Sequence, residues 1–157
     1  MKNFAITLDN GTTHWISPHV VVAGFIFAEV DNITYILANK RGKGLPNCVG
    51  MWNAPCGYLE FGESTREGCC REIYEETGVY VNPILLDRFD IDESYTSDNH
   101  VITFRYTHFN QYDKLPNVTA HFSENDEIDD IRWIPLNEVE LYVWAFNHDR
   151  IIKRINE

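Results

Sequence analysis

The stretch Ser64–Gly78, STREGCCREIYEETG, constrains this chain more than any other. Ser64 followed three residues later by Glu67 forms a capping box, in which each side chain satisfies the other residue's backbone N–H. Gly78 suits the left-handed turn that closes a helix. Together they predict a helix over Thr65–Thr77. Along it, Cys69, Cys70, Ile73 and Thr77 share one side as an apolar stripe. Glu72, Glu75 and Glu76 stand at i, i+3 and i+4 and share another side. Gly68, four residues before Glu72, adds no bulk there. Like charges at these spacings repel by a few tenths of a kcal/mol per exposed pair, and by more when half-buried. A helix shaped by stability alone would intersperse lysines. The pattern leaves two readings: a solvated acidic face, or hard oxygen ligands gathered for Mg²⁺ or Mn²⁺.

The residues before the helix favour the second reading. Trp52–Ala54 reads as a short strand, followed by Pro55, Cys56, Gly57 and a turn that Gly57 and Gly62 permit. From Gly57 there are five residues to Glu63, seven more to Arg71, and then Arg71-Glu72-Ile73-Tyr74-Glu75-Glu76-Thr77-Gly78-Val79. This run resembles the Nudix hydrolase signature, G-x5-E-x7-R-E-U-x-E-E-x-G-U with U aliphatic, at every fixed position and without insertion. The segment before it resembles the family's lead-in, which usually ends Pro-Gly-Gly. Cys56 stands here in place of the first of those glycines. The carbonyl of that position often binds metal in the family, and a carbonyl survives the change of side chain.

The resemblance implies an α/β/α sandwich with a mixed, curved β-sheet, the signature loop and helix, and a C-terminal helix. It implies Mg²⁺-dependent hydrolysis, with Mn²⁺ as a substitute, of a diphosphate linkage in a nucleoside diphosphate joined to another moiety X. ADP-ribose, nucleotide sugars, dinucleoside polyphosphates and nucleoside triphosphates are the candidate classes. The products would be a nucleotide and a phosphorylated X or pyrophosphate. Such anhydrides resist attack because their oxygens are negative. A divalent cation shields that charge, acidifies water and acts as a template. The resemblance assigns Glu72, Glu75 and Glu76 as metal ligands, with the Cys56 carbonyl beside them. Arg71, which cannot lose its proton, would orient a glutamate through its two-pronged guanidinium. Glu63 would support the loop and helix start, through water or Arg71. Gly57 and Gly78 would serve the backbone. Glu72 or a glutamate from a later loop would act as general base; Glu127 is the first choice for that loop residue and Glu124 the second.

The length, 157 residues, fits one domain with an ordinary core. We expect a single domain over 1–157, with 1–18 as an N-terminal extension holding an edge strand near Phe4–Leu8. The first residues lack the apolar run of a signal peptide, and no apolar stretch is long enough to span a bilayer; a cytoplasmic location is expected. The four cysteines show neither disulfide-framework nor zinc spacing, and are expected to be reduced and mostly buried. The six histidines are scattered without a paired spacing, so each is expected on the surface or in a strand. A net charge of −11 argues against nonspecific binding to nucleic acid. The expected partner is a small nucleotide. The family resemblance also admits a homodimer.

In chain order, His19–Phe27 reads as a buried strand, Asp31-Asn32 as a turn and Ile33–Asn39 as the return strand. The loop Lys40–Gly44 follows. Arg41 suits phosphate oxygens there, against the alternative of an ordinary solvated loop. Val79–Asp92 reads as a strand interrupted at Asn82-Pro83. Val101–Phe109 alternates as a strand should, and Ile131–Ile134 closes the series. Asn137 is read as the N-cap of a final helix running over Leu141, Val143, Trp144 and Phe146. Tyr58 and Phe61 are candidates to stack a base, each with a core role as alternative. Some family members that cleave dinucleoside polyphosphates carry a tyrosine about sixteen residues after the signature, where Tyr95 stands; they make it a further substrate-binding candidate. Two other functions share the fold: a nucleotide sensor that binds without cleaving, and an isoprenyl-diphosphate isomerase. Both usually accompany a degraded signature, and here the signature is intact.

Overall fold

The computed structural model describes residues 4–96, 99–121 and 126–157. Its centre is β3 (His19–Val30), which turns through Asp31 and Asn32 into β4 (Ile33–Arg41). Both turn residues take positive φ, 51° and 61°. This left-handed pair makes a tight hairpin whose twist matches its strands, and Asp and Asn tolerate it well. β3 and β4 pair over only Phe27–Val30 and Ile33–Ile36 and then diverge. The fork between them is filled by two short strands. β5 (Trp52–Asn53) pairs with β4, and β6 (Cys56–Tyr58) pairs with β3 at Val21–Ala23.

On the other side of β3 runs β8 (His100–Gln111), parallel to it over eleven positions, and β7 (Asp87–Tyr95) lies antiparallel beyond. β9 (Ile128–Pro135) lines β4. The result is a seven-stranded mixed sheet. A separate hairpin, β1 (Phe4–Thr7) with β2 (Thr13–Ile16), forms its own two-stranded sheet. The expected edge strand near Phe4–Leu8 is thus one arm of this hairpin, and among the described residues it pairs with no strand of the main sheet.

Alternation along β3 supplies both cores. Val22 and Ile26 face α1 (Thr65–Thr77), where they pack with Cys69, Ile73 and Leu86. Ala23, Phe25 and Phe27 face α2 (His148–Ile155), where they pack with Ile151 and Ile152. One helix covers each face, which is the predicted three-layer arrangement. Full burial of Ile73 and of Phe25 each contributes on the order of 1.5–3 kcal/mol.

Several expectations are corrected. Val79–Asn82 is not strand; a 3₁₀ turn at Pro83–Leu85, capped by Asn82, precedes β7. The end of the chain differs most. Asn137 caps nothing: a 3₁₀ segment over Leu136–Leu141 begins after Pro135. Leu141 and Val143 are exposed, 79% and 67%. The backbone around Val143–Ala145 is extended and bonds to Trp52, which donates to the Val143 carbonyl and accepts from Ala145 N–H. The helix starts only at His148. The burial of the cysteines is also less than expected: all four are free, but only Cys69 is fully buried. His148 is neither on the surface nor in a strand but buried at 4% exposure. Among the described residues no helix is long and apolar enough to cross a membrane.

Candidate active site

The predicted capping box is present at the start of α1: Ser64 Oγ accepts from Glu67 N–H and Glu67 accepts from Ser64 N–H. Gly78 ends the helix at φ 73° and donates to the Tyr74 carbonyl. Gly68, Cys69, Ile73 and Thr77 form the buried side. Cys70, expected in that stripe, is half-buried. The helix docks closely because β3 offers a glycine. A Cβ built on Gly24 would lie 2.6 Å from Ile73 Cδ1 and 3.1 Å from Cys69 Sγ. With the apolar side fixed there, Glu72 and Glu76 turn toward β6.

Arg71 is the hub of the polar side. Its Nε and Nη2 meet the two oxygens of Glu63 at 3.1 and 2.9 Å. Its Nη1 donates to Glu72 Oε1 at 2.8 Å and to Glu75 Oε2 at 3.0 Å. Its Nη2 also donates to the Tyr58 carbonyl at 3.0 Å. One guanidinium therefore ties the turn, β6 and three glutamates together, with no intervening water needed for Glu63. Hydrogen bonding from Arg71 holds the Glu63 carboxyl below the usual range. Arg71 in turn is held still more firmly in its charged form.

Glu76 lies deeper. Its Oε2 accepts from the Cys56 backbone N–H at 3.0 Å. Burial, then the charge of Glu72, pushes its carboxyl well above the usual range, while the Cys56 N–H and the charge of Arg41 pull the other way. The charge of Glu127 adds last and least to the upward push. Glu72 is also raised, chiefly by burial, with Arg71 opposing. Gly57 makes room for it: a Cβ there would lie 2.3 Å from both Cδ and Oε1 of Glu72. The Cys56 thiol is pushed up to about 12 by burial and by Glu76, so it stays protonated and is a poor nucleophile.

Two half-buried carboxylates whose ionisation the protein opposes fit the chemistry of a hard divalent cation, which would favour their charged forms. Among the described residues, no three His, Cys, Asp or Glu side chains are already converged as a ligand shell. Arg71 holds Glu72 and Glu75, and the Cys56 amide holds Glu76. Cation binding would draw these carboxylates from their present partners.

The other candidates lie as follows. Arg41 is the last residue of β4 rather than part of a solvated loop, and is 9% exposed. It donates to the carbonyl and Oδ1 of Asn47, and its guanidinium stacks 4.9 Å from the centre of the Phe146 ring. Glu127 is exposed, beside the contact in which Gly42 N–H donates to its carbonyl. The Tyr58 ring packs edge-on against His19, and Phe61, 97% exposed, meets His14 of β2. Tyr95 ends β7 beside His100 and is 73% exposed. The structure thus gathers Glu63, Arg71, Glu72, Glu75, Glu76, Cys56 and Gly57. Arg41 and Glu127 lie together where the end of β4 meets the start of β9. The rings of Tyr58 and Tyr95 instead contact histidines of β3 and β8. Glu124 lies outside the described residues.

Sequence reasoning missed Phe146 and His148. His148 Nδ1 accepts from Ala54 N–H at 3.0 Å and so braces the segment between β5 and β6. Burial, then the charges of Arg105 and Arg41, lowers its pKa to about 3, keeping the ring neutral. No local signal marks either role, since each depends on partners about a hundred residues away.

This architecture, a mixed sheet between two helices with a carboxylate-rich helix beside a glycine turn, defines a class of α/β hydrolases. The NUDIX domain family model matches residues 17–155, and the chain belongs to that family; it is a Nudix hydrolase. Phosphatase NudJ of Escherichia coli K12 is 28% identical over 122 residues, 78% of this chain and 71% of that protein. Among solved structures, the NUDIX domain of Shewanella oneidensis NrtR complexed with ADP ribose superposes with a TM-score of 0.75 at 20% identity, covering 90% of this chain and 88% of that one. A bifunctional NMN adenylyltransferase/ADP ribose pyrophosphatase from Francisella tularensis, complexed with AMP and Mn ion, gives 0.72 at 21% identity, covering 89% of this chain and 41% of that one.

Proposed function

We propose that the chain hydrolyses the diphosphate linkage of a nucleoside diphosphate joined to a second moiety, with Mg²⁺ as cofactor. The observation that carries the reading is the pair Glu72 and Glu76, held half-buried against the backbone of β6 with their ionisation opposed. Glu72, Glu75, Glu76 and the Cys56 carbonyl would hold the cation, which supplies charge shielding and an acidified water. Arg71 holds Glu72 and Glu75 in place through its Nη1, and its permanent charge opposes the upward push of burial on the Glu72 carboxyl. Glu127, exposed just before the strand that pairs with β4, is the loop carboxylate available to accept the proton of the attacking water. Arg41, whose charge opposes the upward push on Glu76, would meet a substrate phosphate.

The neighbouring structures that hold ADP ribose and AMP make adenosine diphosphates the first substrates to test. The test is a panel of ADP-ribose, nucleotide sugars, diadenosine polyphosphates and nucleoside triphosphates, each with Mg²⁺ and with chelator. The expected result is metal-dependent release of a nucleoside monophosphate from one class. Tight binding of a panel member without turnover would overturn the reading in favour of a nucleotide sensor.

A further inference from the structure

Phe146 and Asn147 stand together at φ 58° and 57°. Neither is glycine, and a bulky aromatic in the left-handed region is a strained position that persists only where surroundings enforce it. Here they do. Trp52 anchors Ala145 on one side, and α2 begins at His148 on the other. The strain lifts the Phe146 ring out of the apolar core. Arg41 lies over the ring at 4.9 Å, and the neutral ring of His148 is tilted against it at 5.6 Å. Even so, the side chain remains 44% exposed, so ring surface is left to solvent.

What makes this placement informative is the chain of contacts behind the ring. His148, tilted against Phe146, accepts from Ala54 N–H at 3.0 Å, and two residues further on the Cys56 N–H donates to Glu76 Oε2 at 3.0 Å. The exposed ring is thus joined through His148 to the short segment between β5 and β6 that holds the carboxylate cluster. A nucleotide whose phosphates met that cluster would have a planar base within reach of Phe146. Resting on the reading of the site given above, we propose that Phe146 is the platform on which the substrate's nucleobase stacks, and that it sets preference for nucleotide over base-free phosphates. Aromatic platforms suit this role because every base offers a π-face, and stacking needs no hydrogen-bond match. Tyr58 and Tyr95 are already engaged edge-on or tilted with His19 and His100.

The test compares equilibrium binding of AMP and ribose 5-phosphate, which differ only in the base, by titration calorimetry with Mg²⁺ present. In the unmodified protein AMP should bind about five- to a hundredfold more tightly, the range expected for one stacked base. Phe146→Ala should bring that ratio close to one. Phe146→Trp should restore the preference for AMP. The ribose 5-phosphate affinity also reports whether each variant keeps a folded site. A preference for AMP that survives Phe146→Ala, no preference in the unmodified protein, or no binding of either ligand would overturn the proposal. Because binding is read directly, the test is independent of whether the protein hydrolyses any member of the substrate panel.

Discussion

Gly57→Ala tests the geometry of the site with a single methyl group. Gly57 lies in β6, outside the left-handed positions, so an alanine backbone is unstrained there. The methyl would lie 2.3 Å from Glu72 Cδ, whereas ordinary contact begins at 3.4 Å. The carboxylate must therefore retreat by about 1 Å. Glu72 is the end of a flexible side chain, so the fold can yield at little cost, and loss of glycine from the unfolded chain offsets some of it by ~0.4–1 kcal/mol. Catalysis has no such slack: a misplacement of about 1 Å costs on the order of a hundredfold in rate. The expected outcome is thus an unfolding midpoint in urea within about 1 kcal/mol of the parent, with Mg²⁺-dependent turnover reduced about a hundredfold. Adding Glu72→Gln should cost less than in the parent background, because both changes disable the same carboxylate. Near-parental turnover would refute the placement of Glu72, and a loss of activity that follows the unfolded fraction would refute the claim that the clash is local.

Gly24→Ala should act oppositely, destabilising the fold by about 1–3 kcal/mol because its methyl meets Ile73. Combining it with Ile73→Val, which removes the Cδ1 atom 2.6 Å away, should recover part of the loss in a denaturant double-mutant cycle; strict additivity would refute the contact. Glu76→Gln should abolish most turnover yet raise the melting temperature of the metal-free protein at neutral pH. A carboxyl whose folded pKa is raised loses stability as pH rises through that value, and the amide does not. Calorimetry showing Mg²⁺ stabilising both forms equally would exclude Glu76 as a ligand. His148→Asn should flatten acid denaturation. The folded-state pKa of about 3 lies below the ordinary 6.5, so the parent loses stability as pH falls across that window, by at most about 5 kcal/mol. Asn Oδ1 can still accept from Ala54 N–H, and an unchanged pH profile would show that His148 does not govern it.

The sequence made α1 legible to the residue, because both of its ends are specified locally by Ser64, Glu67 and Gly78. The carboxylates on it were legible for the same reason: helical spacing alone puts Glu72 and Glu76 side by side. The C-terminal segment was not legible. Val143 and Trp144 suggest the apolar side of a helix, yet they lie extended because Trp52 provides hydrogen bonds from a distant strand. The setting of Arg41 was not legible either. Lys40–Gly44 has the composition of a solvated loop, but β9 extends β4 far enough to enclose the arginine. Propensity and pattern see neighbours in sequence, whereas these positions are decided by strand pairing across most of the chain.

The fork between β3 and β4 bears on how activity is acquired. Cys56 and Gly57 are held there by β3, and residues 52–54 by β4, by the Val143–Ala145 segment and by His148. The β4 contacts are local, twelve to fourteen residues apart, but those to β3, to the Val143–Ala145 segment and to His148 bridge about thirty to ninety-four residues, so they form late. The amide protons of Gly24, Trp52 and Ala145 close the fork and should exchange with solvent only through global opening. A nascent or partly folded chain could display a complete α1 and still have no organised site. Turnover in this protein is therefore a reporter of folding, and chains released from synthesis stay catalytically silent until the Val143–His148 segment has docked.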